Sequence, residues 1–383
     1  MRWPFSNLTA RGYSSLSTTT NTRRINTRLL LTILKWIVLA ILAGITAFFI
    51  VCRVDTHMRI YVRFWLSPRK PVIVEPLSEE GACFQNLAPK YQQGYATHSI
   101  NMMPGYRMQD DTCYGYASTV KKPRHRMGNN DTVIYFHTTW SSADNTFGET
   151  QLATLRSFVA TQDPATTRLI VWIDEKDQRL LDESPYWKEA AEHTDRIWYE
   201  IDNTTQDTFI AFKALSTYGG VWFNMNTLFV RDLEPLLVGN DWISQATCYT
   251  SVEGNPFSGS SMMYFTKDSP YLCELENAIS ESSLPPINQL TLADLGRLYY
   301  RVYVRILRNG YKPWAIIPWC YFEPSQCTKS LRFSSPFASS TTAISDHWLD
   351  SIFAFHYHDT PPSTPSGAIY ESLNNKYKDA VEW

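Results

Sequence analysis

Asn224 and Asn226 are the residues whose type and spacing first suggest chemistry. They interrupt an apolar run, Val221 to Val230, directly after the pair Gly219-Gly220. If the run is a strand, residues two apart share a face and lie about 7 Å from each other. Two carboxamides then stand side by side. Each offers an oxygen and an N–H but no charge. His356 and His358 repeat the spacing in the alternating stretch Ile352–Asp359, so they too share one face. The other polar candidates are His137, Thr139 and Trp140 after an apolar segment, Asp174 after another, and Ser258 and Gly259 in a small-residue loop.

The elements that must position these groups are legible from periodicity. Thr132–Phe136 reads as a buried strand ending in His137-Thr138-Thr139-Trp140. Glu149–Thr161 has apolar residues at helical spacing, and Arg168–Asp174 is a second strand closing on an acid. Glu183–His193 reads as a helix, Arg196–Ile201 as a third strand, and Asp207–Ser216 as the helix leading into Gly219-Gly220. Strand, helix, strand in this order implies parallel crossovers. Ligands in such sheets sit at the carboxyl ends of the strands, where Thr139, Trp140 and Asp174 are expected. The double glycine permits backbone angles and a close approach that a Cβ would block. Later come helices over Tyr271–Ser280 and Leu290–Arg308 and a strand at Ala315–Pro318.

Tyr218-Gly219-Gly220-Val221-Trp222-Phe223, the Asn-Met-Asn triplet and Arg231-Asp232-Leu233-Glu234-Pro235-Leu236 together resemble the Asp-x-Asp segment of the family 32 glycosyltransferases. That group holds fungal Golgi mannosyltransferases and animal α-1,4-glycosyltransferases. His137-Thr138-Thr139-Trp140 resembles the family's opening strand end, and the histidine-bearing stretch followed by Ser366-Gly367-Ala368-Ile369-Tyr370 resembles its tail. The likeness spans Thr132–Leu373. It departs from the family at both aspartates, which are Asn224 and Asn226, and at an Asp and an Arg replaced by Thr208 and Ala211.

The resemblance implies an α/β, GT-A-like nucleotide-sugar fold with a mostly parallel central sheet. It implies a retaining hexosyltransferase using a UDP- or GDP-sugar donor and a glycan or glycolipid acceptor. Asn224 and Asn226 take the place of the ligands to Mn²⁺ or Mg²⁺, and His356 and His358 are expected to complete the metal site or touch the diphosphate. His137, Thr139, Trp140, Asp174, Gly219, Gly220 and Trp222 are expected around the nucleotide, Ser258 and Gly259 around the hexose, and Lys213 near the phosphates. A unit charge about 4 Å away is worth about 1 kcal/mol in water and about 4 kcal/mol at an effective dielectric of about 20. Replacing two carboxylates by carboxamides therefore predicts weak cation binding. The alternative is an inactive member of the fold that binds nucleotide sugar or glycan, or supports a partner such as another Golgi glycosyltransferase. An anchored lectin-like protein is a third reading. Asp241, Glu253 and Asp294 are open as nucleophiles.

The chain has 383 residues and a formal net charge of −2. That balance argues against a general nucleic-acid binder. There is no Walker A loop, dinucleotide fingerprint, HExxH or CxxC. Residues 1–28 contain five arginines and no acid, and Leu29–Cys52 is apolar apart from Lys35. This predicts a cytosolic tail over 1–28 and a membrane anchor over 29–52. The competing reading, a cleaved signal peptide, would have a shorter apolar core nearer the start. Pro-rich residues 53–130 are expected to be a stem and 131–383 the transferase domain. Acceptor triplets at Asn130 and Asn203 and six cysteines beyond the anchor suit a lumenal side, as in a type II Golgi glycoprotein. Cys83 with Cys113 and Cys320 with Cys327 are plausible disulfides by proximity in sequence, with Cys248 and Cys273 pairing elsewhere or buried.

Overall fold

A computed structural model describes residues 27–51, 74–92, 110–121, 133–143, 146–193, 195–202, 207–246, 255–281, 291–326, 335–338, 349–358 and 368–381. The chain divides into two units, Met1–Pro71 and Val72–Trp383. In the first, α1 (Thr27–Val51) carries the expected apolar segment. Its window Leu31–Phe48 has a mean hydropathy of 2.2, and none of it is buried, so this helix is long and apolar enough to cross a membrane.

The second unit is a mixed α/β structure. Its strands are β1 (Ile134–Thr139), β2 (Thr167–Ile173), β3 (Ile197–Ile201), β4 (Gly220–Trp222), β5 (Thr227–Phe229), β6 (Trp242–Ser244), β7 (Met263–Phe265), β8 (Ala315–Ile317) and β9 (Ala354–His356). Its helices are α2 (Pro89–Gln92), α3 (Asp110–Thr119), α4 (Glu149–Thr161), α5 (Glu175–Glu183), α6 (Pro185–Ala190), α7 (Asp207–Tyr218), α8 (Pro270–Glu281), α9 (Leu292–Arg308) and α10 (Ile369–Ala380). Seven strands form one sheet in the order β3-β2-β1-β4-β7-β6-β8. β7 alone runs against the rest, so the sheet is mostly parallel, as expected.

Because side chains alternate along a strand, the central strands feed two cores. Phe136, Leu169, Val171, Val221 and Ile317 pack in one core, with α3, α4 and α10. Ile170, Trp172, Trp222, Met263 and Ile316 pack in the other, with α7, α8 and α9. Central strands buried on both faces read as continuous apolar runs, which is why β1 and β2 were visible from composition.

Four expectations need correction. First, Val221–Val230 is not one strand. The chain leaves the sheet after Trp222, bends at Met225 and Asn226, and re-enters as β5 in a separate two-stranded sheet with β9. The Asn224 Oδ1 accepts the backbone N–H of Asn226 at 2.9 Å, a local turn that competes with strand geometry. Second, the helix expected over Glu183–His193 is α6 plus a 3-10 turn at Ala191–His193, and α5 precedes it, capped by Asp174.

Third, the disulfides link distant segments, Cys83 to Cys273 and Cys113 to Cys320, and not the neighbours in sequence. Fourth, residues 74–92 and 110–121, expected in a stem, pack within the second unit. Leu77, Phe84, Tyr91 and Tyr114 are core residues, and both disulfides tie these segments to the sheet-bearing part. Cys248, Cys327, Glu253, the acceptor triplets at Asn130 and Asn203, and Ser366-Gly367 lie outside the described residues.

Candidate functional site

A cleft of about 330 Å³ opens at the carboxyl ends of β1 and β4. Thr139, Trp140 and Ser141 come from the end of β1, and Trp222 to Asn226 from the end of β4 and the bend after it. Gly259, Ser260 and Met263 form the opposite wall, with Ala211 of α7 and Leu292, Leu295 and Tyr299 of α9 closing it. α9 is held in place by a capping box, in which Asp294 N–H donates to Thr291 Oγ1 at 3.2 Å and Thr291 N–H donates to Asp294 Oδ2 at 3.0 Å. Gly259 lets that helix approach: a Cβ there would lie 2.8 Å from the Leu292 backbone.

Of the expected site residues, Thr139, Trp140, Trp222, Asn224, Asn226 and Gly259 line this cleft. Asn224 is exposed and Asn226 half-buried, with buried Met225 between them anchoring the bend. Trp140 is 4 % exposed, and its indole N–H is buried without a hydrogen-bond partner among the described residues. Its ring packs edge-on to Phe147 at 5.5 Å. None of the described residues lining the cleft carries a charge. Ala211 is itself part of the wall.

The remaining expected residues serve elsewhere. His137 is fully buried. Its Nε2–H donates to the Gly219 carbonyl at 2.9 Å, and Trp172 Nε1–H donates to its Nδ1 at 3.3 Å. Burial pushes its pKa down to about 4 against a weaker lift from the Gly219 carbonyl, so the ring is neutral and joins β1 to the glycine turn. Gly219 and Gly220 have φ of 69° and 108°. A Cβ on Gly220 would fall 1.9 Å from the Tyr135 carbonyl oxygen, so the double glycine serves strand packing.

Asp174 caps α5, accepting the Lys176 N–H at 3.0 Å. Lys213 pairs with buried Asp202 at 2.7 Å, outside the cleft wall. The Ser258 Oγ stays within its own turn, 3.2 Å from Ser260 Oγ, and Ser260 is the serine that reaches the cleft. Asp241 is buried against Tyr91 and Thr266, and Asp294 is spent on its cap, so neither faces the cleft.

His356 and His358 are not cleft-lining residues either. Both converge on Glu323, a residue with no sequence signal beyond its place after Cys320. His356 Nδ1 lies 2.5 Å from Glu323 Oε1, and His358 Nε2 lies 3.0 Å from Glu323 Oε2. The two rings are 4.5 Å apart. Burial raises the Glu323 pKa, but the adjacent His356 and His358 outweigh it and hold the carboxyl below its ordinary value. The cluster adjoins the Asn bend through the backbone, where Tyr357 N–H donates to the Asn226 carbonyl at 3.0 Å and β5 pairs with β9.

Arg231 of the Arg-Asp-Leu segment locks the same region. Its guanidinium donates to the Asp350 carbonyl at 2.6 Å and to the Ala117 and Val120 carbonyls, and sits 4.2 Å over the Phe353 ring. The segment that looked like part of a binding motif is therefore a structural knot joining α3 to the approach of β9.

No family model matches the chain, and no curated protein does. Among solved structures, the glycosyltransferase GlyE of Streptococcus pneumoniae TIGR4 is similar at 11 % identity over 64 % of this chain, with a TM-score of 0.38. The match spans 60 % of GlyE, less than two thirds of that protein. The PaToxG glycosyltransferase is similar at 9 % identity over 52 % of this chain and 84 % of its own, with a TM-score of 0.28. These scores are low, and both are likenesses only.

Proposed function

We propose that the chain is a membrane-anchored glycosyltransferase-type protein that binds a nucleotide sugar in the cleft at the ends of β1 and β4. The single observation that carries the reading is the placement of Asn224 and Asn226. They stand at the carboxyl end of a central parallel strand, facing a loop of small residues and an aromatic wall. That is where mostly parallel sheets bind ligands. Thr139, Ser260 and the two carboxamides supply donors and acceptors for a hexose or ribose, and Trp140, Trp222 and Tyr299 supply aromatic surface. The reaction is transfer of a hexose from a UDP- or GDP-sugar to a glycan acceptor, with retention. α1 anchors the protein in the Golgi membrane in type II orientation, and the unit Val72–Trp383 is lumenal.

A second reading is favoured by one observation, the uncharged wall. A diphosphate leaving group develops negative charge that needs a cation or aimed N–H groups. With Asn at both ligand positions and Ala211 in place of Arg, the described wall suits a neutral saccharide as well as a donor. On that reading the protein is an inactive member that binds glycan or supports a partner enzyme.

Calorimetric titration of the full chain in detergent with UDP, GDP, their hexose conjugates and a free oligosaccharide, with and without Mn²⁺, separates the two. The transferase reading predicts nucleotide binding together with release of UDP or GDP from the sugar donor. Binding of oligosaccharide alone supports the second reading, and binding of neither class removes both. Asn224→Asp/Asn226→Asp should raise Mn²⁺ affinity at least tenfold, since each carboxylate adds a charge beside the ion.

A further inference from the structure

We infer that Glu323, His356 and His358 form a binding site for a zinc-type divalent ion, separate from the asparagine pair. Two segments distant in sequence, the turn at Glu323 and the end of β9, bring these groups together. Glu323 follows a 3-10 turn at Trp319–Tyr321, its own N–H donating to the Trp319 carbonyl at 2.7 Å. His356 ends β9, and its N–H donates to the Phe322 carbonyl at 2.8 Å, which fixes the histidine strand against the Glu323 turn. His358 follows two residues later, just beyond β9, and its Nε2 reaches the other Glu323 carboxylate oxygen at 3.0 Å. The Cys113–Cys320 disulfide pins the turn from the other side, three residues before Glu323.

The ligand atoms of all three residues lie within 4.8 Å of one another. Around an ion with bonds of about 2.0–2.1 Å in tetrahedral geometry, ligand atoms stand about 3.3 Å apart. The two contacts to Glu323, 2.5 and 3.0 Å, need to open by less than about 1 Å, and the widest pair, at up to 4.8 Å, to close by up to about 1.5 Å, to admit the ion. His358 has room to do so, its side chain being 40 % exposed, whereas those of His356 and Glu323 are only 6 % and 3 % exposed. The result is a site with two rigid buried ligands, one adjustable ligand and one side toward solvent.

Two imidazoles and one carboxylate are a borderline donor set that favours Zn²⁺ over the harder Mn²⁺ and Mg²⁺. With three protein ligands, a fourth position stays open for water or an anionic oxygen. Among the described residues, the ion-pair partners of the buried Glu323 carboxylate are these two histidines. A purely structural hydrogen-bonded trio is the competing account, and it predicts no metal.

The existence of the site does not depend on what fills the cleft. Its use for a phosphate oxygen of a donor does rest on the function proposed above. The test is therefore split into two readings on the full chain in detergent. The first is Zn²⁺ retained after dialysis, by elemental analysis, with Co²⁺ titration followed by visible absorption. Wild type is expected to hold one Zn²⁺ per chain and to give the intense bands of tetrahedral Co²⁺. His358→Ala, a change at a half-exposed position, should weaken Zn²⁺ at least 100-fold, and Glu323→Gln likewise. Asn224→Ala/Asn226→Ala should retain the metal unchanged.

Substoichiometric or absent metal in wild type, or equal affinity in His358→Ala, overturns the site. Loss of metal in the double-asparagine variant overturns its separation from the cleft. The second reading repeats the UDP and GDP titration with Zn²⁺. Zn²⁺ held without any change in nucleotide binding leaves the site standing and removes its role in donor binding.

Discussion

At the scale of single residues, the molecule distinguishes groups that fill space from groups that face the cleft. His137 carries the clearest consequence. Its imidazole has an ordinary pKa of 6.5 when unfolded and about 4 when folded. Between those values the unfolded chain takes up a proton that the folded chain refuses. Stability is therefore complete above the unfolded value and falls as pH drops toward the folded one, by about 3 kcal/mol. His137→Gln should be less stable at neutral pH but lose less on acidification through that window, as read from urea midpoints on either side of it. Equal pH dependence in both proteins would show that the ring does not control this loss. Asn224 makes the opposite point: its oxygen holds the bend by accepting the Asn226 N–H, a bond that an aspartate would also make. The asparagine is therefore not needed for the turn, and its lack of charge is the property that matters for ligand choice.

At the scale of elements, how well each was legible depended on the range of the interactions that form it. α4 matched its sequence reading because local apolar spacing decides it, and β1 and β2 matched because both their faces are buried. Asn224 to Val230 did not. A side-chain bond to the next-but-one N–H and pairing with β9, over a hundred residues away, replaced the expected continuous strand. Six cleft residues were legible from sequence, since the strand ends were placed correctly. Glu323 was not, because its proximity to His356 and His358 is created by the Cys113–Cys320 link and the β9 contacts.

That link has a consequence of its own. It closes a loop of 207 residues, and its loss should cost about 2–5 kcal/mol. Cys113→Ser should therefore lower the denaturation midpoint and, by freeing the turn that carries Glu323, weaken Zn²⁺ retention. A destabilised variant with unchanged Zn²⁺ affinity would show that the turn is held by β9 alone.

At the scale of the whole molecule, the chain is an apolar helix and a folded unit, Val72–Trp383, with its own two cores and both described disulfides. The segments 74–92 and 110–121 belong to that unit. Glu75, Ser78 and Pro76 meet Arg301 and Arg305 of α9, and Lys90 and Tyr91 reach Thr266. A chain beginning at Val72 should thus be soluble without detergent and keep the melting temperature of the same unit in the full chain. One beginning at residue 131, the expected domain boundary, should lose both disulfides and aggregate. Fractionation and thermal melts check this, and a soluble, stable chain from residue 131 would mean these segments are dispensable after all. The full chain should sediment with membranes and resist alkaline extraction because of α1.

On the proposed function, a sugar nucleotide occupies the cleft between the Asn224–Asn226 bend and α9. Hydrogen exchange of the full chain with and without saturating UDP-hexose or GDP-hexose measures this most directly. One of the two donors should slow exchange at Thr139–Ser141, Trp222–Asn226, Gly259–Met263 and Leu292–Tyr299 together. Exchange unchanged at all four, or protection confined to other segments, would contradict it.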